Sequence, residues 1–192
     1  MRELPLPDGA VIILDMDSEN VCVFCGASQG TASDREKAFA LGELLAEKGH
    51  TLVYGGSDLG LMGCVARGMK EKGGKVISII PEFFLHRGVE DPHSDSSIHV
   101  PSMAVRKEKM IEMCDVFIAL PGGIGTLDEI GEVLTTISLN HKKGKLILCD
   151  FDGFYQPLIA MLNQMKKRGY IAMEWNAEPL VATDISEVAA LL

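Results

Sequence analysis

Residues 116–129 read VFIALPGGIGTLDE. The first five are apolar throughout, the pattern of a central parallel strand whose two faces are both covered by helices. Three glycines follow, and the sequence then turns amphipathic. A strand, a glycine-rich turn and a helix in direct succession are the leading half of a βαβ unit. Outward from this stretch, short apolar or β-branched runs at 21–25, 51–54, 75–80 and 145–149 alternate with longer segments of helical period. The class is therefore α/β with a parallel sheet.

The predicted helices begin with one that ends at Lys48, opened by a capping box of Ser33 and Glu36 and stopped by Gly49. Others cover 61–72, 103–114, 126 to about 139 and 154–168, the last stopped by Gly169, and a short one starts at Asp184. Two segments fall outside the alternation. Residues 1–20 read as an N-terminal arm, either an edge strand or loose, ahead of one domain over 21–192. Residues 81–101 read as a long binding loop, rich in His, Asp and Ser.

A chain of 192 residues with 47% hydrophobic and 23% charged residues is long and apolar enough to bury a full core. Its formal charge of −9 is the wrong sign for broad binding of nucleic acid or an anionic membrane. Any phosphate it holds belongs to a small ligand. No run approaches the length of a membrane span, and the apolar stretch near the start is too short and too acidic in its flanks for a signal peptide. Five cysteines, an odd number set mostly in apolar runs, read as buried thiols of a reducing cytosol. Cys22 and Cys25 spell C-x-x-C, yet a period of two sends them to opposite faces of a strand, and no second pair follows at metal spacing. His86, His93 and His99 are irregularly spaced and read as a solvated loop, so no metal site is expected.

In an open parallel sheet, ligands bind beyond the carboxyl ends of the strands. Two glycine clusters lie there: Gly55-Gly56-Ser57-Asp58-Leu59-Gly60, and Pro121-Gly122-Gly123-Ile124-Gly125-Thr126. Each runs into a helix, whose unpaired N–H groups and positive dipole end suit an anion. Both also fit plain tight turns. The Walker triphosphate signature is absent and the third glycine of the dinucleotide fingerprint is missing, so a monophosphate fits better. Asp150 is the only acid near the place of a ribose-binding carboxylate, and it comes late.

Arg106 and Lys107 open the helix that precedes strand 116–120, and Glu129 lies in the first turn of the helix that follows it. A carboxylate beside a guanidinium is expected to keep a low pKa, fit to stabilise a cation or hold water as a base but poor as an acid. Thr126-x-x-Glu129 is equally a capping box, and Arg106 and Lys107 equally a solvated helix face. Met110 and Met113 have core spacing, while Met103 is close enough to the helix start to touch a ligand.

These residues resemble the LOG ("lonely guy") family, cytokinin riboside 5′-monophosphate phosphoribohydrolases formerly labelled lysine decarboxylases. The resemblance rests on P-G-G-x-G-T-x-x-E at Pro121 to Glu129 and M-x-x-R-K at Met103 to Lys107. It continues through Phe24-Cys25-Gly26, the segment 54–63 and Asp152-Gly153-Phe154-Tyr155. It implies a Rossmann-like, doubly wound sheet in a cytoplasmic homodimer with the site near the subunit boundary. It further implies that Arg106 and Glu129 are the catalytic pair, and that Gly123, Gly125 and Thr126 hold a 5′-phosphate with help from Gly56 and Ser57. Gly122, Met103 and Lys107 complete the implied nucleotide site. The implied reaction cleaves the N-glycosidic bond of a purine nucleoside 5′-monophosphate, giving free base and ribose 5-phosphate without a cofactor. A nucleotide-binding module or sensor using the same loops without turnover is the alternative. Ser57, Ala27 and Ala104 stand where the family usually has glycine, serine and histidine, and Thr136, Ser138 and Asn140 replace a Trp, Gln and Gly of plant-like members. The base is thereby left open between an N6-substituted adenine, plain adenine and another purine.

Overall fold

The computed structural model describes residues 2–5, 11–14, 19–85, 88 and 90–192. Strands β1 (Arg2–Pro5) and β2 (Val11–Leu14) pair antiparallel as a separate two-stranded sheet. The main sheet comprises β3 (Asn20–Phe24), β4 (Thr51–Tyr54), β5 (Lys75–Pro81), β6 (Ser96–Val100), β7 (Val116–Ala119), β8 (Lys145–Cys149) and β9 (Leu180–Ala182). Its order is β6-β5-β4-β3-β7-β8-β9, and every pairing is parallel. The chain winds outward from β3 in one direction and then from β7 in the other, so the topological switch lies between these two strands. That is where an open α/β sheet leaves a crevice at its carboxyl edge.

Side-chain alternation along the strands feeds two cores. On one face Cys22, Phe24, Ile77, Ile79, Phe117 and Leu148 pack against α4 (Met103–Met113) and α5 (Ile124–Ser138) and part of α6 (Gln156–Lys167). On the other, Val21, Val23, Cys25, Tyr54 and Ile118 meet α1 (Ala32–Glu47), α2 (Gly60–Glu71) and α7 (Ile185–Leu191). Cys22 and Cys25 thus do lie on opposite faces, and all five cysteines are buried free thiols. The α1 and α2 backbones approach closely. A Cβ on Gly42 would sit 2.1 Å from the Val65 carbonyl oxygen, and one on Gly68 would sit 2.1 Å from that of Phe39.

Several sequence expectations need correction. The segment 81–101 is no single loop, since it contains the short helix α3 (Glu82–Leu85) and the edge strand β6. In β6 only Ile98 and Val100 face inward, and the polar Ser96, Ser97 and His99 around them hide the strand signal. The edge strand β9 is a further strand beyond the five expected. The cap of α1 is Thr31, whose side chain accepts from Asp34 N–H while Asp34 accepts from Thr31 N–H, so Ser33 and Glu36 lie inside the helix. Gly49 and Gly169 do supply the positive-φ stops. α5 is capped by Gly123 without a side-chain bond, which places Thr126 and Glu129 within the helix and removes their capping-box reading. Of the three loop histidines, His86 lies outside the described residues; His99, on β6, bonds Glu90 through Nε2 at 2.9 Å. Among the described residues no helix is long and apolar enough to cross a membrane.

Because the Gly68 contact is with backbone that cannot rotate away, Gly68→Ala is expected to lower the unfolding free energy by about 1–3 kcal/mol, read from the denaturant midpoint at unchanged slope.

Candidate active site

The crevice beside the switch point is a cavity of about 340 Å³. Four chain segments converge on it. The turn after β3 contributes Cys25, Gly26, Ala27 and Ser28; the turn after β4 contributes Gly55, Ser57 and Leu59; the start of α4 contributes Met103 and Arg106; and the turn into α5 contributes Gly123, Gly125, Thr126 and Glu129. Met62, Ile80 and Phe84 complete an apolar side.

Arg106 and Glu129 meet across the cavity base. Arg106 Nη1 donates to Glu129 Oε1 at 2.8 Å, and Arg106 Nε donates to the Ile79 carbonyl at 3.1 Å. Both side chains are nearly buried, with 8% and 7% of their surface exposed. The solvated-face reading of Arg106 therefore fails. Gly55 makes room for the guanidinium, since a Cβ there would lie 1.9 Å from Arg106 Nη2. Taking two opposite charges out of water costs about as much as their attraction returns, so the pair adds little net stability.

The ionisation of Glu129 differs from the sequence expectation. Burial pushes its carboxyl above the ordinary value and outweighs the opposing pull of Arg106. A group expected to be a firm anion is thus poised closer to neutrality, where it can take up and release a proton. Burial also pushes the Cys25 thiol up, which keeps it protonated and inert.

Of the other expected site residues, Met103, Ser57, Gly123, Gly125 and Thr126 face the cavity. Ser57 is buried, and its hydroxyl accepts from Leu59 N–H at 3.2 Å. Gly56, at φ +78°, shapes the turn behind the wall, where its carbonyl accepts from Asp91 N–H at 2.9 Å. Gly122 lines a second, apolar cavity of about 470 Å³ on the far side of the α5 turn, with Ile124, Leu127, Phe154 and Leu158. Lys107 turns away from the cavity. Its ammonium pairs with Asp128 at 2.8 Å and Glu132 at 2.6 Å, the residues one before and three after Glu129, and so ties α4 to α5. Met110 and Met113 are core, as their spacing predicts. Asp150 accepts from Tyr155 N–H at 2.7 Å and from Gln156, a structural role.

Sequence reasoning singled out neither Ser28, Leu59 and Met62 nor Ile80 and Phe84 as wall residues. Ser28, Leu59 and Met62 follow strands or open a helix at the carboxyl edge, and Ile80 lies at the carboxyl end of β5, so all four are open to the same rule as the glycines. Phe84 was hidden by the reading of 81–101 as loop.

The family profile described as "Possible lysine decarboxylase" matches residues 62–192. The cytokinin riboside 5′-monophosphate phosphoribohydrolase LOG of Oryza sativa subsp. japonica is 40% identical over 153 residues, covering 79% of this chain and 63% of that protein. The chain thus spans less than two thirds of that relative's length. The cytokinin riboside 5′-monophosphate phosphoribohydrolase LOG3 of Arabidopsis thaliana is 38% identical over 153 residues, covering 79% of this chain and 71% of that one. Among solved structures, the molybdenum cofactor binding protein of Rippkaea orientalis superposes with a TM-score of 0.70 at 26% identity, covering 92% of this chain and 96% of that one. Profile, identity and the paired motif around Arg106 and Glu129 agree: this chain belongs to the LOG family, whose profile carries the lysine decarboxylase description.

Proposed function

We propose that the protein hydrolyses the N-glycosidic bond of a purine nucleoside 5′-monophosphate, be it an N6-substituted adenine nucleotide, AMP or another purine nucleotide, to free base and ribose 5-phosphate. The observation that carries this reading is the buried Arg106–Glu129 pair at the base of a cavity whose rim is the glycine-rich start of α5. The names of the plant relatives support the same chemistry.

The N–H groups at the start of α5 and its dipole hold the 5′-phosphate, with Thr126 beside them. This grip is remote from the reacting carbon and orients the ribose. As the C1′–N bond lengthens, positive charge builds on the ribose, and an ionised Glu129 facing it stabilises that charge more than the ground state. Water attacks C1′, its oxygen forms the new bond and Glu129 takes its proton, while the C1′–N bond breaks and its electron pair passes to the ring nitrogen, which takes a proton from solvent. Arg106 fixes the carboxylate and keeps enough of it ionised to act.

A binding or carrier protein without turnover is the second reading, favoured by the likeness to a cofactor-binding protein. A decarboxylase would need a lysine in Schiff-base linkage to pyridoxal phosphate. Among the described residues no lysine lines the cavity, and Lys107 is held by Asp128 and Glu132.

We also propose, as the family resemblance implies, that two copies associate. The exposed apolar residues Ile124, Leu127, Phe154 and Met161 along α5 and α6 support this face as the contact.

Four outcomes are expected. Glu129→Gln, which retains an acceptor for Arg106, should lower adenine release from AMP by on the order of 10²–10³ or more while calorimetry shows AMP still bound; unchanged turnover defeats the hydrolase reading, and tight binding by the native protein with no ribose 5-phosphate formed favours the carrier. Because the ionised carboxylate is the competent form and its pKa in the unliganded protein is raised, kcat/KM should fall as pH drops through a value above that of an ordinary glutamate. Replacing Arg106 by Gln removes the influence that lowers it, so that acid limb should move to higher pH in the variant. Finally, Leu127→Glu should shift the sedimentation of the protein toward a single copy.

A further inference from the structure

Cleaving a neutral purine from ribose leaves an electron pair on the ring nitrogen, and the departing base needs a proton. Among the described residues, three side chains with an ionisable proton reach the cavity: Cys25, Arg106 and Glu129. None is free to serve the base. The guanidinium stays protonated and is held by Glu129 and the Ile79 carbonyl. The Cys25 thiol is buried, with 6% of the residue exposed. Glu129 is committed to the sugar and the water, and it must give up its proton to be competent.

The apolar side of the same cavity has a distinct chemical character. Met62 and Met103 present polarisable thioethers, Phe84 an aromatic ring, and Leu59 and Ile80 plain hydrocarbon. Such walls hold a flat ring by contact, and thioether and aromatic surfaces favour a ring bearing positive charge. The side-chain charges of Arg106 and Glu129 cancel, so the cavity opposes neither a cationic base nor, at its main-chain rim, an anionic phosphate.

We infer that this site has a further activity: it hydrolyses nucleoside 5′-monophosphates whose base is already cationic, namely N7-alkylated purine nucleotides and ribosyl-pyridinium nucleotides, faster than their neutral counterparts. The inference rests on the phosphoribohydrolase reading and names a substrate class for that same site. In the step, the water oxygen bonds to C1′ and the C1′–N bond breaks. Its electron pair returns to the ring nitrogen and cancels the positive charge, so the base departs neutral. One water proton passes to Glu129 and then to solvent. No proton is delivered to the leaving group, which is the one transfer that none of the described residues lining the cavity is placed to make.

The test compares matched pairs with the full-length protein: 7-methyl-GMP against GMP, and nicotinamide mononucleotide against AMP. Released base and ribose 5-phosphate are quantified after subtraction of the uncatalysed rate. General acid catalysis is worth on the order of 10²–10⁴, so kcat for the cationic member should exceed that of its neutral partner by at least about tenfold. On the alkaline side AMP should slow as protons become scarce, while nicotinamide mononucleotide, whose pyridinium ring has no proton to lose, holds its rate. Glu129→Gln should lower release from all four by on the order of 10²–10³ or more, which ties the activity to this site. If GMP or AMP is hydrolysed and its cationic partner gains less than about tenfold, the inference falls and the proposed function stands. If no base is released from any of the four, both fall together.

Discussion

The constraint on which the site depends is a charge pair held out of water. Arg106 comes from the first turns of α4 and Glu129 from the first turns of α5, and each would be costly alone in the interior. Meeting at 2.8 Å, they offset that cost for each other, and the geometry that permits the meeting reaches across the fold. The parallel pairing of β3 with β7 sets the switch-point crevice, Gly55 leaves room for the guanidinium, the Ile79 carbonyl takes its Nε proton, and Lys107 clasps α5 on either side of Glu129. A buried pair adds little stability, so this investment in position points to chemistry at the carboxylate.

The same burial governs the reactivity of Glu129. In water beside an arginine, a glutamate is a settled anion. In the cavity base, desolvation opposes ionisation and outweighs the attraction, and the group becomes able to exchange a proton with water. The glycine-lined rim works by a different means, since main-chain N–H groups at a helix start carry no titratable charge and bind an anion without altering the carboxylate nearby. On the proposed reading, separating the anion grip from the proton-handling group in this way would let one small cavity hold a phosphate and a developing cation together.

Much of this was legible in the residues, and the failures are informative. The apolar run 116–120 marked a central strand because a strand covered on both faces has no polar position to spare. Edge strands β6 and β9 were missed because half of their surface meets water, and the alternating serines and histidine of β6 look like loop. The α1 cap fell two residues from its expected place because Thr31 with Asp34 and Ser33 with Glu36 fit one local pattern, and only the path of the chain through Gly30 selects between them. Lys107 sits next to Arg106 in sequence, yet successive helix residues point about a quarter turn or more apart, so one entered the cavity while the other turned to α5.

The sequence by itself determined the α/β class, the central strands, the glycine turns at their carboxyl ends, and the family that the paired motifs around Arg106 and Glu129 identify. These are consequences of local periodicity and of what a few neighbouring residues can do. Tertiary structure alone decided which of the charged residues lose their water, which apolar side chains from distant segments form the cavity wall, and that Glu129 rather than a surface cap is the carboxylate at its base. Desolvation is the reason: it depends on everything that surrounds a group in space, and no spacing along the chain encodes it.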